Sequence, residues 1–156
     1  MGDASRSVDR NWDELLQELR VTQTGLQILT GFLVSIPFQQ RFSDITSLQQ
    51  TLYLGALAVA LTATLTVLAP ASFHRLLFRQ QEKEWLVRMG NRFARAGLAL
   101  SAVAIALVAW LLFDVVLGRT AGQIAVGSVI VLVVVLWYGV PLVARRRSTV
   151  AGTPHS

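Results

Sequence analysis

The stretch LQQTLYLGALAVALTATLTVLA, residues 48–69, runs straight into PASFHRLLFRQQEKEWLVRMGNRFAR, residues 70–95, and the junction decides the fold. The first part carries no charge and is long enough, at about 1.5 Å per helical residue, to cross a hydrocarbon core of roughly 30 Å. The second part holds six Lys and Arg (Arg75, Arg79, Lys83, Arg88, Arg92, Arg95) against Glu82 and Glu84 alone. An uncharged run that stops abruptly at a basic segment predicts a membrane span and its cytoplasmic flank.

Three further apolar stretches cover residues 21–40, 96–117 and 123–143. The fourteen basic residues fall almost entirely into every second gap. Arg6, Arg10 and Arg20 precede the first span, six lie in the second connection, and Arg145, Arg146 and Arg147 follow the last span. Only Arg41 and Arg119 occupy the alternate gaps. These connections are short enough for the positive-inside rule to apply, which predicts four spans with both termini in the cytoplasm.

Composition agrees with this class. The chain of 156 residues is 53% hydrophobic and 15% charged, with a mean hydropathy of +0.53. A soluble domain is about a quarter charged. The absence of cysteine rules out disulfides, thiolate metal sites and a cysteine nucleophile. A net charge of +5 would suggest nucleic acid for a soluble chain, but here the arginines flank spans. Anionic lipid headgroups are therefore the expected partner, and nucleic acid is not. The first span follows a polar, mixed-charge segment and ends in Ser35-Ile36-Pro37-Phe38 without a small-x-small site, so it reads as a retained span rather than a cleaved signal. Continuous apolar helices do not suit an outer-membrane barrel, so the plasma (inner) membrane is the expected home.

The expected architecture is an all-α integral membrane four-helix bundle, one domain over residues 1–145, with a disordered cytoplasmic tail over 146–156. Asn11 and Glu14 have the spacing of a capping box, which predicts a cytoplasmic helix over residues 10–20 leading into span one. Pro70 predicts a kink or end to span two, and 71–95 an amphipathic cytoplasmic connection that turns near Gln80 to Lys83. The outer connections, about 41–47 and 118–122, read as tight turns. Gly118 and Gly122 are both assigned to the second of these for their backbone freedom.

Span one is the polar one. Asp13, Gln17, Arg20, Thr24, Gln27 and Gly31 recur at steps of four and three, with Gln23 and Thr30 beside the seam. One face of the helix is therefore polar from the cytoplasm to near mid-membrane, and such a face should not meet lipid. It either packs against other helices or lines a hydrated path, inside the bundle or about the axis of an oligomer. Residues 1–20 also hold five acids against three arginines, an acidic helix set opposite the basic connection. Arg75, Arg79, Arg88, Arg92 and Arg95 are the candidate contacts to that helix or to headgroups.

Groups able to move protons are few: Glu18 below the inner interface, His74 after Pro70, and Asp114 near the outer end of span three, where anchoring at the interface is the simpler role. No span has a carboxylate at mid-membrane, which weighs against an antiporter. There is no phosphate loop, no HExxH, no GxSxG and no histidine-carboxylate cluster, so neither an enzyme, a metal site nor a cofactor is expected.

The segments Asn11-Trp12-Asp13-Glu14-Leu15-Leu16-Gln17-Glu18-Leu19-Arg20-Val21-Thr22-Gln23-Thr24-Gly25, Pro37-Phe38-Gln39-Gln40-Arg41-Phe42 and His74-Arg75-Leu76-Leu77-Phe78-Arg79 together resemble an uncharacterised family of small four-span membrane proteins common in actinobacteria. Some of its members carry a sodium:proton antiporter label. The resemblance spans roughly residues 10–145; it implies fold and compartment and brings no functional residues with it. Two functions follow as expectations: a structural or interaction subunit, as a homo-oligomer or within a larger membrane complex, and a small cation or proton transporter using the polar stripe.

Overall fold

A computed structural model describes residues 2–77 and 83–139; within these, side chains are described for 17–70, 72, 89–137 and 139. Almost all of the described residues are helical, and none of them is in a strand. Helix α1 runs Gly2–Ser35, α2 Ser47–Leu77, α3 Lys83–Leu117 and α4 Arg119–Val134, with a π-helical turn over Val135–Gly139. Four helical segments are long and apolar enough to cross a membrane: Gln17–Phe38, which runs from α1 into the turn after it, Ser47–Pro70 in α2, Met89–Leu117 in α3, and Arg119–Trp137, which runs from α4 into the π-helical turn. Residues 78–82, expected to hold the cytoplasmic turn, and the tail from 140 onward, including the end of the expected fourth span, lie outside the described residues.

The expected start of a helix at Asn11 is corrected, because α1 is already helical at Gly2. No proline interrupts residues 2–20, and extending a helix by a residue costs far less than nucleating one. Its other end is also displaced, from the expected Gln40 back to Ser35. Pro37 is the cause: it has no N–H for the Leu33 carbonyl and its ring crowds the preceding turn. The chain continues through two short 3-10 turns, Ile36–Phe38 and Gln40–Asp44.

Pro70, by contrast, does not end its helix. The α2 helix passes through it to Leu77, so the apolar residues expected in a separate interfacial helix begin on the same rod as span two. A proline inside a membrane helix is tolerated where neighbouring helices cover the disturbed turn. Pro70 is fully buried.

The chain divides into two compact units, residues 1–108 and 109–156. In the first, α1 packs on α2, and Leu19 and Leu26 of α1 form a core with Ala63 and Val67 of α2, against which Ala94 and Leu100 of α3 pack. The α1 contribution is a narrow seam of Leu19, Leu26 and Leu33 at steps of seven, while α2 buries Tyr53, Ala56, Ala60, Ala63, Val67 and Pro70 at steps of three and four. Small residues dominate because lipid tails are as apolar as leucine, which leaves close packing to hold the helices together. Gly97 shows how close: a Cβ built there would lie 2.5 Å from Val67 Cγ2.

In the second unit the end of α3 meets α4 across a turn of one non-helical residue, Gly118, at φ +90° and ψ 174°. Gly122, expected in that turn, sits instead inside α4. A Cβ there would come within 2.7 Å of Trp110 Cδ1, 2.9 Å of the Trp110 carbonyl oxygen and 3.0 Å of Asp114 Cβ. Its glycine serves helix contact, not backbone freedom.

Candidate interaction face

The C-terminal end of α1 fixes how that helix is turned. Tyr53 of α2 donates its hydroxyl hydrogen to the Leu33 carbonyl at 3.1 Å, and the Phe42 ring meets Tyr53 edge-on with centroids 5.2 Å apart. Thr46 caps α2 reciprocally: its N–H donates to Gln49 Oε1 at 2.9 Å and its Oγ1 accepts the Gln49 N–H at 3.3 Å. The T-x-x-Q spacing is the sequence signal that marks this helix start, one that the hydropathy of the span overshadows.

With Leu19, Leu26 and Leu33 turned inward, the polar stripe faces away from the core. Gln17, Glu18, Arg20, Thr24, Gln27 and Gly31 are all exposed, and nothing lies within 4 Å of a Cβ built on Gly31. Gln23 and Thr30, which flank the leucine seam, are half-buried. The stripe therefore lines no seam within its own unit.

Hydroxyls and amides in the spans differ in what they leave unsatisfied. Thr24 Oγ1 donates to the Arg20 carbonyl at 3.0 Å, and Thr62, Thr64 and Thr66 donate to the carbonyls of Ala58, Ala60 and Thr62 at 2.7 to 2.9 Å. Ser101 and Ser128 likewise donate to Leu98 at 2.7 Å and Ile124 at 2.9 Å. A hydroxyl bonded back to its own helix can face lipid cheaply. An amide has two donors and two acceptor lone pairs and cannot be satisfied that way, so Gln27 carries the strongest demand for a partner.

The titratable candidates are spread over the chain. Asp114, expected as an interfacial anchor, is buried at 8% exposure beside Gly122. Glu18 is exposed on α1. Arg92 and Arg95 are exposed on α3, with Arg95 Nε donating to Asn91 Oδ1 at 3.4 Å. The side chains of His74, Arg75, Arg79 and Arg88 lie outside the described residues. Among the described residues no group of three His, Cys, Asp or Glu could hold a metal ion.

One other exposed feature is a shallow groove of about 480 Å³ on α4, lined by Ile124, Gly127, Ser128, Val131, Leu132 and Val135. It is apolar apart from the self-satisfied Ser128, and acyl chains can cover it without cost. The polar face of α1 is the one that lipid covers badly.

Four helices of spanning length, one of them polar on its outward face, define a helical protein of the polytopic membrane class. The chain belongs to DUF6328, a family of unknown function, whose profile matches residues 3–141. No curated protein and no solved structure matches it.

Proposed function

We propose that the protein is a structural or interaction subunit of the plasma membrane, with both termini in the cytoplasm, that assembles with other helices through the polar face of α1. The observation that carries this reading is the exposure of Gln17, Arg20, Thr24 and Gln27 on a face of α1 turned away from its packed seam. An amide facing hydrocarbon is costly, and a helix from another chain supplies the missing donors and acceptors. Twelve of fourteen basic residues in alternate gaps support the orientation, and exposed Arg92 and Arg95 suit anionic headgroups on the same side.

Mild-detergent extraction from the native membrane, with the particle mass measured, tests the reading. The expected particle exceeds one 17.1 kDa chain and shifts toward a single chain in Gln27→Leu. A wild-type particle of one chain alone overturns it. So does proteoliposome flux of H⁺, Na⁺ or K⁺ that is lost in Gln27→Leu or Glu18→Gln, because the stripe would then be a path.

A further inference from the structure

The exposed stripe has a period that specifies its occupant. Gln17, Thr24 and Gly31 lie seven residues apart, as do Arg20, Gln27 and Val34, and all six are exposed. The two rows interleave at steps of three and four, an average of 3.5, which is the repeat of a left-handed helix pair with knobs in holes. The buried seam Leu19, Leu26, Leu33 keeps the same seven-residue repeat against its own neighbours. Helix α1 thus has one such seam filled from within the chain and a second left open.

We propose that the open seam is filled by α1 of a second copy of this chain, the two helices running parallel about a twofold axis along the membrane normal. The inference rests on the interaction-subunit reading and names its partner. Self-complementarity of the amide at Gln27, which is both donor and acceptor, carries the choice. Copies with one committed topology insert in one orientation, so residues of the same number meet at the same depth. The Gln27 amide of each copy then faces its equal, NH₂ group to carbonyl, and each donates one N–H and accepts one. One turn toward the cytoplasm, each Thr24 hydroxyl is already bonded within its own helix and adds bulk without demand. At Gly31 the open space above the backbone lets the helices approach closely. At the inner boundary the same symmetry brings the two Arg20 residues to one depth, and their like charges part them. Each guanidinium turns outward along its stem to headgroup phosphates, with the other copy's Gln17 amide oxygen within one step as a further acceptor. An unrelated apolar helix offers Gln27 no acceptor; a second α1 offers it at the right depth by symmetry.

The chain lacks cysteine, so single-cysteine variants report contact cleanly. Thr24→Cys and Gly31→Cys lie on the open seam, while Gly25→Cys and Phe32→Cys lie on another exposed face of α1. The full chain, purified and reconstituted in phosphatidylethanolamine–phosphatidylglycerol vesicles, is oxidised and the covalent dimer quantified; a disulfide needs the two Cα atoms within about 7 Å. Dimer is expected at 24 and 31 and only at background at 25 and 32. Adding Gln27→Leu is expected to weaken association by about fivefold. Energy transfer between copies labelled at Ser43→Cys, off the seam, measures the same association without altering α1. Equal cross-linking at all four positions, or none at 24 and 31, overturns the proposal. Should the purified chain stay monomeric while the native particle contains a different protein, the homodimer is wrong and the interaction-subunit reading survives. Should the native particle also be a single chain, both fall.

Discussion

The Tyr53 hydroxyl donates to the Leu33 carbonyl, the one that Pro37, four residues on, leaves without its helical donor. A proline in one helix and a tyrosine in the next are thus complementary parts of one device. The proline ends α1 and opens an acceptor, and the tyrosine closes it while tying α2 to that end. Tyr53 is itself 3% exposed, so the bond is shielded from solvent on both sides.

Tyr53→Phe is therefore expected to destabilise the fold by about 1 kcal/mol, the scale of a hydrogen bond between membrane helices. In Pro37→Ala the restored N–H can serve Leu33, so the tyrosine substitution should cost less in that background. A double-mutant cycle followed by reversible unfolding in mixed micelles measures the coupling. Additive effects would mean that Pro37 and Tyr53 are unconnected.

Gly122→Ala should destabilise more than Gly97→Ala. The Cβ at 97 meets the Val67 side chain at 2.5 Å, which Val67→Ala can relieve, whereas the Cβ at 122 also meets the Trp110 carbonyl oxygen at 2.9 Å, which is backbone. Overpacking of this kind costs about 1–3 kcal/mol. Gly127→Ala, with nothing within 4 Å, is the control and is expected to be neutral or mildly stabilising. Thermal melts of the three variants in one detergent give the ranking.

Thr30 supplies a test of opposite sign. Its Oγ1 is buried without a hydrogen-bond partner, so Thr30→Val removes an unsatisfied polar atom at nearly constant shape. Stability in the same melts should hold or rise, by up to about 1 kcal/mol. A clear loss would show that the hydroxyl has an acceptor in the folded protein.

Gly118→Ala should cost about 1–3 kcal/mol, because φ +90° with ψ 174° is a region that essentially only glycine occupies. Gly118→Asn is expected to rescue little, since asparagine tolerates the left-handed helical region rather than this one. The melts that rank Gly97 and Gly122 measure both.

Spans two, three and four were legible in the sequence as long, predominantly apolar runs, and span one, polar on one face, was legible from its length between Arg20 and Arg41. Their ends were less legible, for reasons that differ between the two prolines. Pro37 terminates α1 whereas Pro70 is absorbed within α2, and what separates them is burial among neighbouring helices, which no local pattern records. Gly118 and Gly122 show the same limit: two glycines four residues apart, one bending the chain and the other clearing space for Trp110. The polar stripe could be read as a stripe from its spacing. Its direction could not, because that depends on Leu19, Leu26 and Leu33 winning the inward position, and Val21, Ile28 and Phe32 are as apolar and face out.

The unbroken course of α1 from Gly2 to Ser35 also has a mechanical meaning. At about 1.5 Å per residue the rod is roughly 50 Å long, of which the bilayer's hydrocarbon holds some 30 Å. No joint separates the protruding part from the part in lipid. A rotation of the protruding end about the helix axis would be carried along one continuous hydrogen-bonded rod toward Gln27. The first helix is in that sense a shaft, joining the part outside the lipid to the face that carries Gln27.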